Sequence, residues 1–361
     1  MKYISEYRDR ALINGLAREI ALYGELKVTF MEVCGTHTMA IHRHDIRSVL
    51  PPGVRLISGP GCPVCVTPVG YIDHAIALAS LEKIIITTFG DLLRVPGSTS
   101  TLQEARAAGS DVRVVYSITE ALALARQNPG QRVIFLAIGF ETTAPSTAAG
   151  ILQAVQERLQ NFLILSAHKV MPPALELLVS EDFSIDGYLC PGHVSVITGE
   201  EIYRSIPERY DTGCVIAGFE PADILLAVLQ LLKQVRERKP RVENAYKRAV
   251  KKNGNPRARE IMNRVFQPED TSWRGLGMVK KSGLMLRDEF TSLDAAGMIR
   301  VDIEPSREPP GCICGDILRG ISEPADCKLF RKVCRPEMPV GACMVSAEGS
   351  CQAAFRYGND G

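Results

Sequence analysis

Residues 132–143 read Arg132-Val-Ile-Phe-Leu-Ala-Ile-Gly-Phe-Glu-Thr-Thr143: an unbroken apolar run, then glycine, then polar residues. A short run with no polar face, rich in β-branched residues, predicts a strand covered on both sides, as in a parallel sheet. Seven further stretches have the same character, at 27–33, 54–58, 83–88, 112–116, 162–166, 185–189 and 214–217. Helical patterns at 101–108, 119–127, 146–159 and 222–235 fall between them, and an amphipathic helix at 4–22 precedes them. Alternating strands and helices predict an α/β fold of doubly wound units, with parallel sheets and crossover helices.

The two halves resemble one another. Lys27-Val-Thr-Phe-Met-Glu-Val-Cys-Gly-Thr-His-Thr38 matches 132–143, 105 residues on. Gly59-Pro-Gly-Cys-Pro-Val-Cys-Val-Thr67 matches Cys190-Pro-Gly-His-Val-Ser-Val-Ile-Thr198, and Phe89-Gly-Asp91 matches Phe219-Glu-Pro-Ala-Asp223. Three matches in one order predict an internal duplication split near residue 128. The expected organisation is an N-terminal helix (1–25) packed on the C-terminal domain, α/β units at 26–128 and 129–240, and a basic connector with a cysteine-rich domain at 241–361.

The 361 residues carry a formal charge of +1, which excludes wholesale electrostatic binding to nucleic acid or anionic membrane. The charged start has no apolar h-region and no run approaches a membrane span, so a cytoplasmic protein is expected. The near-zero charge hides a basic segment, 232–265, with twelve Lys/Arg against three acids. It reads as a solvated connector or as a docking face for an acidic protein. Nucleic acid is disfavoured because only Tyr246 is available for stacking.

Eleven cysteines are unevenly spread: six, Cys312, Cys314, Cys327, Cys334, Cys343 and Cys351, fall within the last 50 residues. In a reducing compartment such clustering points to metal or redox chemistry rather than structural disulfides. Thiolate-only ligation there fits a [4Fe–4S] cluster or structural zinc, and the spacing matches neither a ferredoxin run nor a zinc ribbon.

Three further motifs follow predicted strands, where ligands bind in open parallel sheets. In Cys34-Gly-Thr-His37-Thr, a thiol opening a helix is expected to have a lowered pKa, and with His37 it suits iron or zinc. Cys62-Pro-Val-Cys65 reads as an exposed redox pair. Asp91 and Arg94 suit an anion or a helix cap. In the second half Glu141, Thr142, Thr143, His168, Lys169, His193, Glu220 and Asp223 occupy analogous strand ends. No P-loop, dinucleotide fingerprint or hydrolase elbow is present.

Together Cys34-Gly-Thr-His-Thr, Gly59-Pro-Gly-Cys-Pro-Val-Cys-Val-Thr-Pro68, Gly139-Phe-Glu-Thr-Thr-Ala-Pro145, Pro191-Gly-His-Val-Ser195 and Cys343-Met-Val-Ser-x-Glu-Gly-x-Cys351 resemble the hydrogenase maturation factor family HypD, over about 4–358. The resemblance implies two Rossmann-like units and a [4Fe–4S] domain. It also implies an assembly scaffold with redox activity rather than a turnover enzyme. Such a scaffold works with HypC, accepts cyanide from HypE and holds the iron of the Fe(CN)2CO unit of [NiFe]-hydrogenase, as a monomer within the HypC complex. It places the cluster on Cys312, Cys327, Cys334 and Cys351, and leaves Cys314 and Cys343 as a thiol–disulfide pair beside it.

On this reading Cys34 binds iron, His37 ligates or orients it, and electrons pass from the cluster through Cys314/Cys343 to Cys62/Cys65. Cys190 and Cys214 are left to packing. The competing readings are a stand-alone iron–sulfur thiol-disulfide reductase and a zinc-stabilised interaction module.

Overall fold

All eight apolar runs form parallel strands: β1 Val28–Glu32, β2 Val54–Ser58, β3 Ile84–Thr88, β4 Asp111–Val114, β5 Arg132–Gly139, β6 Phe162–His168, β7 Gly187–Pro191 and β8 Gly213–Ala217. Three more, β9 Val242–Asn244, β10 Phe266–Trp273 and β11 Gly277–Leu286, come from the segment that carries no alternating signal. The computed structural model describes residues 5–180 and 184–358. The strands build two parallel sheets, in the orders β2-β1-β7-β8-β9 and β4-β3-β5-β6, and β10 and β11 form an antiparallel hairpin. Numbered within each sheet, the orders are 2-1-3-4-5 and 2-1-3-4, the doubly wound arrangement.

The sheets do not divide the chain at residue 128. β1 pairs with β7, from the other half of the sequence, with Phe30 opposite Gly187 and Glu32 opposite Leu189. β3 likewise pairs with β5, with Ile86 opposite Ile134. The units 26–128 and 129–240 are therefore corrected to two interleaved sheets. A parallel crossover needs a dozen or more residues and returns to whichever strand the tertiary packing selects, which periodicity does not encode.

Taken four at a time, β1–β4 and β5–β8 occupy corresponding places, each set giving its first two strands to one sheet and its last two to the other. In that correspondence β1 answers to β5, as the first sequence match has it. The other two matches join loops after β2 and β7, and after β3 and β8, which do not correspond.

Two other boundaries shift. The helix Arg10–Ala21 packs on the helix Pro221–Glu237, with Lys233 bonded to Glu19 at 3.1 Å, and not on the cysteine-rich segment. Its apolar stripe, Ile13, Leu16 and Ile20, joins the core formed by Ile224, Val228 and Leu232. The hairpin also leaves the C-terminal domain. Phe266, Leu284 and Leu286 of β10–β11 close the core over Phe135 and Ile164 of the second sheet. The residues after 311 are what remains as a cysteine-rich unit, and they pack against the helices Gly35–Arg43 and Pro63–Val66.

Burial leaves titratable groups inside this core. His168, at the end of β6, is 1% exposed, its Nε2 3.1 Å from Thr147 Oγ1, and burial pushes its pKa down to about 4. The unfolded imidazole titrates near ~6.5, so on acidification the unfolded chain takes a proton that the folded one refuses. Stability from His168 is thus lost as pH falls from the unfolded value toward about 4. Glu141 and Glu32, raised by burial to about 7 and about 8, act in the opposite sense, so the comparison with a variant isolates the histidine. His168→Gln is expected to lose less melting temperature than the parent between about pH 7 and 5, a difference on the order of 2 kcal/mol. Parallel melting curves against pH would remove His168 from the acid limb.

Candidate functional site

In a doubly wound sheet the ligand crevice opens at the carboxyl ends of the two strands flanking the switch point. In the five-stranded sheet these are β1 and β7, and the chain leaves them as Val33-Cys34-Gly35 and Pro191-Gly192-His193. Cys34 caps the helix Gly35–Arg43 in extended conformation, so its side chain stands at the helix start. Its backbone N–H donates to Glu32 Oε2 at 3.2 Å, and Thr38 Oγ1 donates to Glu32 Oε1 at 2.5 Å. Glu32, 1% exposed, thus ties the end of β1 to the first helical turn.

The loop after β2 is pressed against this turn. Gly35 N–H donates to Gly61 O at 3.0 Å, and a Cβ on Gly61 would lie 2.2 Å from Cys34 N. The same loop carries Cys62, whose Sγ accepts from Cys65 N–H at 3.3 Å across the turn Pro63–Val66. Glycine at 61 is what lets the Cys34 and Cys62/Cys65 motifs meet.

His37, one turn along, is fully buried, and its Nε2 stands 2.9 Å from Gly218 O. A carbonyl only accepts, so Nε2 carries the proton. Nδ1 keeps a free lone pair and has no partner among the described residues. Burial holds the imidazole neutral, with its pKa down to about 4. Phe219 lies between the two histidines, stacked on His193 at 4.0 Å and tilted against His37 at 4.9 Å. Behind it, edge-on at 5.8 Å, is Tyr246. Arg248 is sandwiched between Tyr246 and Tyr7 and makes two bonds, 2.6 and 2.5 Å, to the fully buried Asp223. Arg8 pairs with Glu220 nearby. Asp223 and Glu220 therefore hold the wall of the site rather than its contents.

The third wall comes from the C-terminal segment. Thr36 Oγ1 donates to Glu348 Oε1 at 2.6 Å, and a Cβ on Gly35 would meet the Glu348 side chain at 2.5 Å. The Glu348 charge acts on Cys34, Cys65 and His193 alike. Sequence reasoning passed over Glu348, Glu32 and Phe219. Glu348 stands inside the Cys343–Cys351 motif, and its invisibility came from its 312-residue separation from Thr36.

The thiols are not the activated ones expected. Burial, reinforced by Glu348, pushes Cys34 up to about 12, outweighing the N–H groups of Thr36 and His37. Cys62 and Cys65 are buried, not exposed, and burial and the neighbouring Cys62 sulfur raise Cys65 well above the ordinary thiol range. A helix dipole contributes a fraction of a charge and loses to desolvation at a closed site.

The six late cysteines gather as the sequence suggests. Cys314 and Cys343 form a disulfide. Cys312, Cys327, Cys334 and Cys351 line one apolar cavity with them, beside Leu329 and Phe330. Cys334 Sγ accepts from Val340 N–H at 3.3 Å, and a Cβ on Gly341 would fall 2.5 Å from Cys312 Sγ. Four thiols around one cavity, with an N–H on sulfur and glycine leaving room, fit a thiolate-held cluster. Among the described residues no three His, Cys, Asp or Glu side chains are close enough to grip a single ion. Arg94 fastens this segment to the second sheet through Pro336 O and Val345 O, at 3.0 and 3.2 Å. Cys190 and Cys214 are fully buried partners on β7 and β8. No helix among the described residues is long and apolar enough to cross a membrane.

Comparison with known proteins agrees with this geometry. The family model described as HypD, hydrogenase formation hypA family, matches residues 10–358. Hydrogenase maturation factor HypD2 of Bradyrhizobium diazoefficiens is 47% identical, over 99% of this chain and 97% of its own length. Hydrogenase maturation factor HypD of Rhizobium leguminosarum bv. viciae is 46% identical, over 99% and 96%. HypD of Azotobacter vinelandii is 45% identical, over 99% and 97%. With the five motifs gathered on two doubly wound sheets and a cysteine-lined cavity, the chain belongs to the HypD family of hydrogenase maturation factors.

Proposed function

We propose that this chain is a cytoplasmic scaffold on which, together with HypC, the Fe(CN)2CO unit of [NiFe]-hydrogenase is assembled, with HypE delivering the cyanide. The observation that carries the reading is the convergence of Cys34, His37, Cys62, Cys65 and Glu348 at one switch point. Iron is the cargo. It replaces the Cys34 proton, because a metal competes for a thiol that burial otherwise keeps protonated. His37, its Nε2 fixed on Gly218 O, keeps Nδ1 free to ligate or orient the iron. A cysteine of HypC completes the thiolate set.

A [4Fe–4S] cluster on Cys312, Cys327, Cys334 and Cys351 would supply one-electron redox chemistry. The turn carrying Cys65 packs against Ala342–Met344, which holds Cys343. Thiol–disulfide exchange in the direction of the relay is balanced: a Cys314/Cys343 dithiol gives two electrons and two protons to a Cys62–Cys65 disulfide, which becomes a dithiol, and Cys314–Cys343 closes as a disulfide. The burial of Cys62 and Cys65 counts against a reductase of external protein disulfides. The corresponding places of β1–β4 and β5–β8 support an internal duplication with exchanged halves.

The test is purification with HypC, followed by iron analysis and infrared spectroscopy. Bound iron with cyanide and carbon monoxide bands is the expected result. A complex with neither iron nor such bands, from cells that mature hydrogenase, would leave the scaffold reading without support.

A further inference from the structure

The second sheet ends in a buried carboxyl that the scaffold function does not use. Glu141, just past β5, is 3% exposed. Its Oε1 accepts from Met171 N–H at 3.0 Å, while Oε2 has no donor among the described residues. An unpaired buried acceptor costs about 1–3 kcal/mol, so its retention needs a reason. Lys169, at the end of the adjacent strand, is committed elsewhere: Nζ donates to Thr271 Oγ1 at 3.0 Å and Ser272 O at 2.8 Å.

Glu141 lines a cleft of about 320 Å³ between the helices Met171–Ser180 and Pro256–Val265. The other walls are mainly apolar, from Val170, Pro172, Pro173, Ile202 and Met262. The lining also includes a second carboxylate, Glu201, which pairs with Arg204, together with Arg259 and Asn263. An acceptor without a donor, set among apolar walls, calls for a compact donor-only group on an apolar stem. An ammonium is that group, with three N–H donors and no acceptor to leave unpaired.

We infer that this cleft binds a ligand presenting a primary alkylammonium, its nitrogen on Glu141 and its carbon chain against Pro172, Pro173 and Met262. The pairing is charge-assisted, the stronger class of hydrogen bond. Burial raises the Glu141 pKa to about 7, and an incoming cation draws the carboxyl back toward its ionised form. The amine belongs either to a free small molecule or to a lysine side chain, and the two share this chemistry.

The probes are n-butylamine, 1-butanol and Nα-acetyl-lysine amide, titrated onto the full chain by calorimetry. Butylamine is expected to bind and butanol not. Glu141→Gln should weaken the amine by about ten-fold or more while the protein melts as before. Should that variant fail to fold, Asn263→Trp on the exposed rim blocks the cleft instead and must also abolish binding. Binding of the blocked lysine extends the site to protein side chains, and binding of butylamine alone confines it to free amines. Amine binding that survives both variants, or an absence of amine binding to the parent, overturns the proposal.

Discussion

Cys34→Ala, purified with HypC, is expected to retain no iron above background, a fall of about 100-fold or more. Loss of an outer partner alone typically costs a metal site about 10–100-fold, and here the proposed ligand itself is removed. The fold should survive, because a buried thiol replaced by alanine leaves only a small cavity beside Glu32 and Gly61, costing about 1 kcal/mol. The visible absorption of a cluster on the four late cysteines should be unchanged, which separates cargo from resident cofactor. Cys190→Ala, at an equally buried thiol on β7, serves as control and should keep its iron. Iron retained by Cys34→Ala would take Cys34 out of the site.

Gly61→Ala should be nearly as damaging without touching any ligand. Its Cβ would sit 2.2 Å from Cys34 N and 2.4 Å from Cys34 Cα, and backbone atoms in a capped helix start cannot step aside as a flexible side chain does. The loop must lift, breaking the Gly35–Gly61 hydrogen bond and separating Cys62/Cys65 from Cys34. Overpacking of this kind costs about 1–3 kcal/mol and occasionally more. Iron content and hydrogenase maturation are expected to collapse together, with a melting temperature lowered by several degrees. A variant that loads iron normally would mean that the two cysteine motifs act independently.

The elements were legible because each strand is a short apolar run between glycines and caps, and burial on both faces imposes that pattern. Partnering was not. Whether β3 returns beside β1 or starts a second sheet depends on packing between helices far apart in sequence. For the same reason the helix Arg10–Ala21 was misplaced, and the hairpin β10–β11, whose polar edge residues hide its strands, was missed. The site residues were legible where a glycine or proline marks the backbone turn, as at Cys34, Cys62 and His193. The thiol pKa values were not, because the dipole that lowers them is written locally while the burial and the Glu348 charge that raise them are not. Glu348 itself becomes meaningful only once its loop meets Thr36.

The exchange of strands between the two sheets has a consequence for how the molecule comes to exist. A nascent chain that has reached residue 128 contains β1 and β2 but not β7, and β3 and β4 but not β5. Neither sheet can close on what has been synthesised: the second waits only for β5 and β6, but the β1–β7 contacts that complete the first span more than a hundred residues, the kind of pairing that forms slowly. The first sheet is therefore completed late. The surroundings of Cys34 and His37 wait on Gly218 and, near the end of the chain, on Glu348. On the proposed function, iron is thus offered a place only once these late residues are in position.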